Sequence, residues 1–267
     1  MLFQQKIINN VKIKCNEDSF IVSAMMYGSF TKGEGDRFSD VEFYIFIEDD
    51  FFEEFHSNKW ISSLYPTDLI YFNEHGTQVV IFENLLRGEF HFLPQSKMEV
   101  IKSFKPTGVF PDANAMFIYD ATGQLKALLD YLGGEGPDRK TNENVNFAFN
   151  NFINYWLMGV NVLKRGEHAR SLEVLSHVQK HVIQLMRINE NTVERWLNST
   201  KNLENDLQEE SYKEFVSITA DLNREKIWKA YEKSVELMER VYLTLDSKYS
   251  IEVDKKLFAK MLSHIKD

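Results

Sequence analysis

The sequence has a single cysteine and lacks any long apolar run. Cys15 excludes a disulfide framework within the chain, and we expect a structural role for it because no histidine lies beside it. No stretch approaches the roughly 18 apolar residues of a membrane span, and the first residues lack the apolar segment of a signal peptide. We therefore expect a cytoplasmic protein without a membrane segment.

Proline and glycine are missing from the last part of the chain. All five prolines lie at or before Pro137, and no glycine follows Gly166. Because these residues disfavour helices, their distribution predicts an α+β N-terminal domain, with a small mixed sheet and helices, followed by an all-α helical bundle. The segment KPTGVFPD (105–112) predicts a boundary, which gives domains of residues 1–108 and 109–267.

The net charge of −9 argues against a general nucleic-acid binder, because such proteins neutralise phosphates with lysine and arginine. A single nucleotide is not excluded, since a bound cation and a few local donors can hold a triphosphate. The 21 Phe, 11 Tyr and 4 Trp residues argue against disorder.

Periodicity places the secondary structure. In the first part, residues 2–14 are predicted to form a helix. Strands are predicted at 20–28, 40–49, 68–72, 77–82 and 85–93, the last two forming a hairpin that turns at Glu83 and Asn84. Helices are predicted at 121–132, 144–167, 169–188 and 225–245.

Two acids lie at the start of the most strongly predicted strand, DVEFYIFIED (40–49). Asp40 and Glu42 are two residues apart, so their side chains leave the same face, while Val41 and Phe43 can fill the core on the other. Paired carboxylates repel each other unless a cation lies between them. Because Mg²⁺ prefers carboxylate and phosphate oxygens, Asp40 and Glu42 are candidate magnesium ligands.

Gly28 and Ser29 end the preceding strand. A glycine lets the backbone approach a phosphate closely, and a serine contributes its hydroxyl and N–H groups. The loop that follows carries Lys32, Arg37 and Ser39, which could meet a triphosphate. Together with Asp40 and Glu42, these residues predict a site for a metal-bound nucleotide.

The pattern Gly28-Ser29, ten residues, then Asp40-Val41-Glu42 resembles the signature of the DNA-polymerase-β-like nucleotidyltransferase superfamily. An N-terminal domain of this kind followed by a helical bundle resembles the antibiotic-modifying branch. Taken whole, the chain is most similar to the lincosamide nucleotidyltransferases. The resemblance implies transfer of AMP from Mg-ATP, with one or two Mg²⁺ ions, to a hydroxyl of a lincosamide such as lincomycin or clindamycin. Pyrophosphate is released, and the drug is inactivated.

The resemblance also implies a third carboxylate from a later strand, acting as general base or metal ligand. We favour Glu89, because it repeats the in-and-out pattern of the Asp40–Glu42 strand, and keep Asp68 as its rival. The simpler alternative is that Glu89 only pairs with Arg87 or another surface cation. Tyr44 and His91, each two residues after one of these glutamates, are candidates for the acceptor pocket.

The acceptor itself stays open at this point. An aminoglycoside would call for an acidic pocket, which the net charge permits, whereas the many aromatic residues suit a lincosamide slightly better. A protein-modifying or antitoxin-like nucleotidyltransferase is the alternative with a polypeptide acceptor. We also expect a homodimer, because an aromatic-rich helical half often has an apolar face to bury.

Overall fold

The computed structural model describes residues 2–266 and divides the chain into two compact units, Met1–Pro137 and Asp138–Asp267. The strands are β1 (Ile21–Tyr27), β2 (Val41–Ile47), β3 (Thr67–Phe72), β4 (Gln78–Phe82), β5 (Arg87–Pro94) and β6 (Phe117–Asp120). The helices are α1 (Phe3–Glu17), α2 (Ser57–Ser62), α3 (Gln124–Leu132), α4 (Asn142–Lys164), α5 (His168–Glu190), α6 (Leu203–Asp206), α7 (Glu209–Ser217), α8 (Arg224–Leu245) and α9 (Lys256–Lys266). Short 3₁₀ helices lie at 29–32, 49–51, 95–107, 113–116 and 193–195.

The six strands of the first unit form one mixed sheet in the order β3-β4-β5-β2-β1-β6. β2 and β5 run parallel, and the other neighbouring strands are antiparallel. The predicted β4–β5 hairpin is confirmed, and its turn holds Leu85 at a φ of 64°, a left-handed conformation that is unfavourable for leucine. An α+β unit with a small mixed sheet is therefore confirmed.

Alternation along the central strands gives the sheet two apolar faces. Val41, Phe43 and Ile45 point to one face, where they pack with the buried side of α1 and with α2. Phe46 and Met25 point to the other face, where they pack against the 95–107 helix and α3. Tyr44 packs against this second cluster. Glu42 and Tyr44, which alternate along β2 with the buried Val41 and Phe43, therefore lie at the border of the second apolar layer.

The predicted domain boundary at residue 108 is wrong, because the first unit extends to Pro137. β6 pairs with β1, with Ala24 opposite Tyr119, and so adds a strand to the edge of the same sheet. Phe110, inside the segment taken as a boundary, is buried in the second apolar cluster. Pro106 therefore lies in the 95–107 helix and Pro111 in a turn, both within the unit.

The second unit is helical, as predicted, and is built on α4, α5 and α8. Gly166 has a φ of 81° and makes the turn after α4, and α5 then packs against α4. Buried aromatic and aliphatic side chains from α4, α5, α8 and α9 form its core. Among residues 2–266, each helix is too short or too polar to cross a membrane.

Gly159 lies at a close contact between α4 and α8. A Cβ atom at this position would lie 1.9 Å from the hydroxyl of Tyr231. That hydroxyl donates to the carbonyl of Ser171 at 2.8 Å, and the Ser171 hydroxyl donates to the carbonyl of Gly159 at 3.0 Å. The missing side chain therefore lets three helices share one buried hydrogen-bonded contact.

The chain after α5 is held by Arg187, whose side chain is fully buried. Its guanidinium donates to Asp206 at 2.9 Å and to the carbonyls of Thr192, Ser199 and Lys201. A buried arginine needs such partners, because an unpaired charge in the interior is costly. Arg187 is thus a structural residue that ties the 191–206 segment to α5.

Candidate active site

The parallel pairing of β2 and β5 brings two of the predicted acids together. Glu42 lies opposite Glu89 in the register, and Tyr44 lies opposite His91. Neighbouring parallel strands present side chains of the same register position on the same face. The expectation that Glu89 repeats the pattern of the first acidic strand agrees with this arrangement.

Glu42, Glu89 and His91 form a compact group whose ligand atoms all lie within 4.8 Å of one another. Each side chain is about one fifth exposed, 22% for Glu42 and 21% for the other two. His91 Nε2 lies 3.5 Å from Glu42 Oε1, yet within residues 2–266 this buried nitrogen has no hydrogen-bond partner. The group thus holds two partly shielded carboxylates and an unused nitrogen in positions suited to a cation.

Asp40 lies outside this group, just before β2 begins. Its Oδ2 accepts from Arg87 Nη1 at 2.7 Å, and Arg87 Nη2 donates to Glu89 Oε1. Partial desolvation opposes the charge of Arg87, but the contacts with Glu89 and Asp40 outweigh it and raise the pKa of Arg87. The ion pair between Glu89 and Arg87, which is the simpler alternative for Glu89 expected from the sequence, is therefore present. The same arginine also pairs with Asp40.

Aromatic rings line the face on which the acids lie. The rings of Tyr44 and His91 stack at 4.1 Å with an angle of 3° between their planes. Tyr27 and Phe104 lie next to Tyr44, with centroids 6.4 and 5.0 Å from it. Burial, followed by the nearby charge of Glu42, raises the pKa of Tyr44, so its hydroxyl keeps its proton at neutral pH.

Gly28 and Ser29 stand at the end of β1, as predicted. Gly28 has a φ of 92° and a ψ of −155°, a conformation that side chains rarely adopt. Ser29 begins the 29–32 helical turn, and its buried hydroxyl lacks a hydrogen-bond partner within residues 2–266. A buried polar atom left in this way is costly, which makes it a candidate donor to a ligand.

The loop residues predicted to meet a triphosphate have local contacts. Lys32 Nζ lies 5.6 Å from the centroid of Phe110, and the guanidinium of Arg37 lies 4.5 Å from that of Phe38. The hydroxyl of Ser39 accepts from the Asp36 N–H and donates to its carboxylate, each at 3.0 Å. Ser39 therefore orders the loop in this structure.

Asp68, the rival third acid, lies on the edge strand β3 and is exposed. β4 separates β3 from β5, so Asp68 is two strands away from Glu89. Its position does not favour it as the third carboxylate of this site.

The helical unit resembles a known protein family. Residues 141–264 match the family model described as "Lincosamide nucleotidyltransferase-like, C-terminal domain". The helical unit is therefore similar to the C-terminal domain of lincosamide nucleotidyltransferase-like proteins. The match confirms, for the helical unit, the predicted resemblance to the lincosamide nucleotidyltransferases. No curated protein gives a significant match.

Two solved structures are similar to the chain at 13% sequence identity. One is an aminoglycoside 6-adenyltransferase from Bacillus subtilis, with a TM-score of 0.44, covering 98% of this chain and 97% of that one. The other is a nucleotidyltransferase-like protein from Exiguobacterium sibiricum 255-15, with a TM-score of 0.42, covering 91% of this chain and 76% of that one.

Proposed function

We propose that this protein transfers AMP from ATP to a hydroxyl of a lincosamide, releasing pyrophosphate and inactivating the drug. The proposal rests on one observation: Glu42 and Glu89 lie opposite each other on the paired strands β2 and β5, near Asp40 and the Gly28-Ser29 turn. The family of the helical unit supports the lincosamide as acceptor. The cytoplasmic location and the homodimer stay predictions.

The donor atoms fit magnesium. Carboxylate oxygens are the ligands that Mg²⁺ prefers, and the ligand atoms of Glu42 and Glu89 lie within 4.8 Å of each other. Asp40 and Glu42 would hold one ion, and Glu89 lies beside Glu42. When bound, Mg²⁺ neutralises charge on the phosphates and stabilises the attacking and leaving oxygens.

The backbone and side chains that follow β1 would bind the triphosphate. Gly28 leaves room for a phosphate to approach the backbone, and the Ser29 hydroxyl donates to a phosphate oxygen, which gives its buried oxygen the partner it lacks. Lys32, Arg37 and Ser39 are the further candidates for binding the triphosphate. Their positively charged or hydroxyl groups follow the same turn along the chain.

Glu89 is the proposed general base. A sugar hydroxyl is a poor nucleophile, so removal of its proton by a Glu89 oxygen as the O–P bond forms contributes about 10²–10⁴-fold. The proton passes to the carboxylate, and the pyrophosphate leaves from the opposite side of the α-phosphorus. The stacked rings of Tyr44 and His91 stand beside Glu42 and would orient the acceptor.

The direct test is incubation of the protein with Mg-ATP and a panel of lincosamides and aminoglycosides, followed by mass spectrometry. We expect one added AMP on lincomycin or clindamycin, and loss of that product in the Asp40→Asn variant. Modification of aminoglycosides only would replace the acceptor, and label from ATP on a polypeptide would indicate a protein-modifying enzyme. Unchanged transfer by Asp40→Asn would contradict the metal site.

A further inference from the structure

Arg87 occupies a central position among the acids of the candidate active site. It is the first residue of β5, and its side chain lies on the same face as Glu89. One guanidinium nitrogen contacts Asp40 and the other contacts Glu89, so a single cation joins carboxylates from two stretches of chain. The side chain is 43% exposed and can therefore move without disturbing the core.

This pairing has a consequence for the metal ligands. Asp40 accepts from Arg87 and does not join the compact group of Glu42, Glu89 and His91. While Arg87 holds Asp40 Oδ2, that oxygen is not free to bind a cation together with Glu42. Removing a positive charge from between carboxylates is unfavourable unless another cation takes its place and the arginine gains another anion.

We propose that Arg87 is a positioning residue that makes binding of metal and nucleotide depend on each other, an inference that rests on the proposed function. Without nucleotide, the guanidinium neutralises Asp40 and Glu89 and competes with the metal. With Mg-ATP bound, Asp40 and Glu42 would hold the metal, and the planar guanidinium of Arg87 would turn to the phosphates, whose oxygens it matches as well as those of a carboxylate.

The probe is Mn²⁺, an oxygen-preferring cation whose free concentration can be measured by electron paramagnetic resonance. Without nucleotide, we expect Arg87→Met to bind Mn²⁺ about tenfold more tightly than the wild type, because two partly exposed ion pairs no longer compete. With a non-hydrolysable ATP analogue, this advantage should disappear or reverse, because the variant lacks a donor to the phosphates. The matched control is Arg170→Met, which removes an exposed arginine paired with Glu167 in the helical unit.

Two further measurements cover a variant that folds poorly. Arg87→Lys keeps the charge but cannot reach both carboxylates with a planar fork, so its Mn²⁺ affinity without nucleotide should lie between those of the wild type and Arg87→Met. In thermal melting without metal, Arg87→Met should melt below the wild type, and saturating Mn²⁺ should remove most of the difference. The control variant should show neither change.

The possible failures can be told apart. If Glu42→Gln abolishes Mn²⁺ binding while Arg87→Met and Arg87→Lys bind it like the wild type, with and without the ATP analogue, the role of Arg87 is overturned and the proposed metal site stands. If Glu42→Gln leaves Mn²⁺ binding unchanged in the presence of the analogue, the metal site itself, and therefore the proposed function, is contradicted.

Discussion

Replacement of Glu89 by glutamine separates the chemistry of this acid from its structural role. The substitution keeps the size of the side chain and an oxygen that can accept from Arg87, but removes the negative charge. It weakens one partly exposed ion pair, worth about 0.2–1 kcal/mol, and relieves repulsion with Glu42 across the strand pair. Because the two effects oppose each other, the free energy of unfolding should change by less than about 1 kcal/mol.

Turnover should respond far more strongly. If Glu89 takes the proton of the acceptor hydroxyl, its loss removes a contribution of about 10²–10⁴-fold, which corresponds to about 2.7–5.4 kcal/mol in the barrier. Glutamine cannot accept that proton. We therefore expect kcat to fall by at least about a hundredfold, with binding of a non-hydrolysable ATP analogue nearly unchanged.

The assay follows pyrophosphate release and AMP-modified drug in parallel, with unfolding in urea as the check on stability. Asp68→Asn is the matched control, because Asp68 is an exposed acid on β3, two strands from Glu89 in the same sheet. It should retain turnover within about twofold of the wild type. Near-normal kcat in Glu89→Gln, or a large loss in Asp68→Asn, would refute the assignment of the base.

Three further predictions concern the scaffold. Gly159→Ala should lower the free energy of unfolding by about 1–3 kcal/mol, measured in urea, because the new methyl group meets the anchored hydroxyl of Tyr231; unchanged stability would contradict the close packing. Leu85→Asn should raise stability by about 0.5–1 kcal/mol, since asparagine tolerates the left-handed conformation, and a lower melting temperature would count against this reasoning. Burial lowers the pKa of His181 against the opposing hydrogen bond with Gln184. Below about pH 6.5 the unfolded chain therefore binds a proton at His181 more readily than the folded chain does, so the free energy of unfolding decreases as the pH is lowered. Between about pH 7 and 5.5, His181→Asn should lose less stability than the wild type, and an equal loss would exclude this group.

Local patterns in the sequence predicted the central strands well. β1 and β2 combine β-forming residues with clear ends, a glycine for β1 and acids for β2, and each predicted span contains the observed one. β6 was missed because it has four residues and forms only by pairing with β1, about ninety residues earlier in the chain. The predicted boundary differs from the observed one for the same reason, since the segment 105–112 has the prolines typical of a boundary but lies inside the first unit.

The candidate site was predictable up to the point where it depends on strand order. Alternation correctly placed Glu89 with His91, because side chains two residues apart share a face of a strand. Asp40, which precedes β2, pairs instead with Arg87 and lies outside the group of Glu42, Glu89 and His91. The parallel pairing of β2 and β5 could not be read from either strand. The stacking of Tyr44 on His91 and the double contact of Arg87 both follow from that pairing.

The pairing of β5 with β2 also limits how this site can change. Along β5, the acid at 89 alternates with the core residues Gly88 and Phe90, and a Cβ atom on Gly88 would lie 2.9 Å from Val80. A shift of β5 by one residue would turn the side chain of Glu89 into the apolar layer and that of Phe90 toward the acids. Such a shift is unfavourable because it buries the charge of Glu89. An insertion or deletion within β5 should therefore abolish both folding and activity, whereas the exposed turn at Leu85 can change length while the two glutamates stay opposite each other.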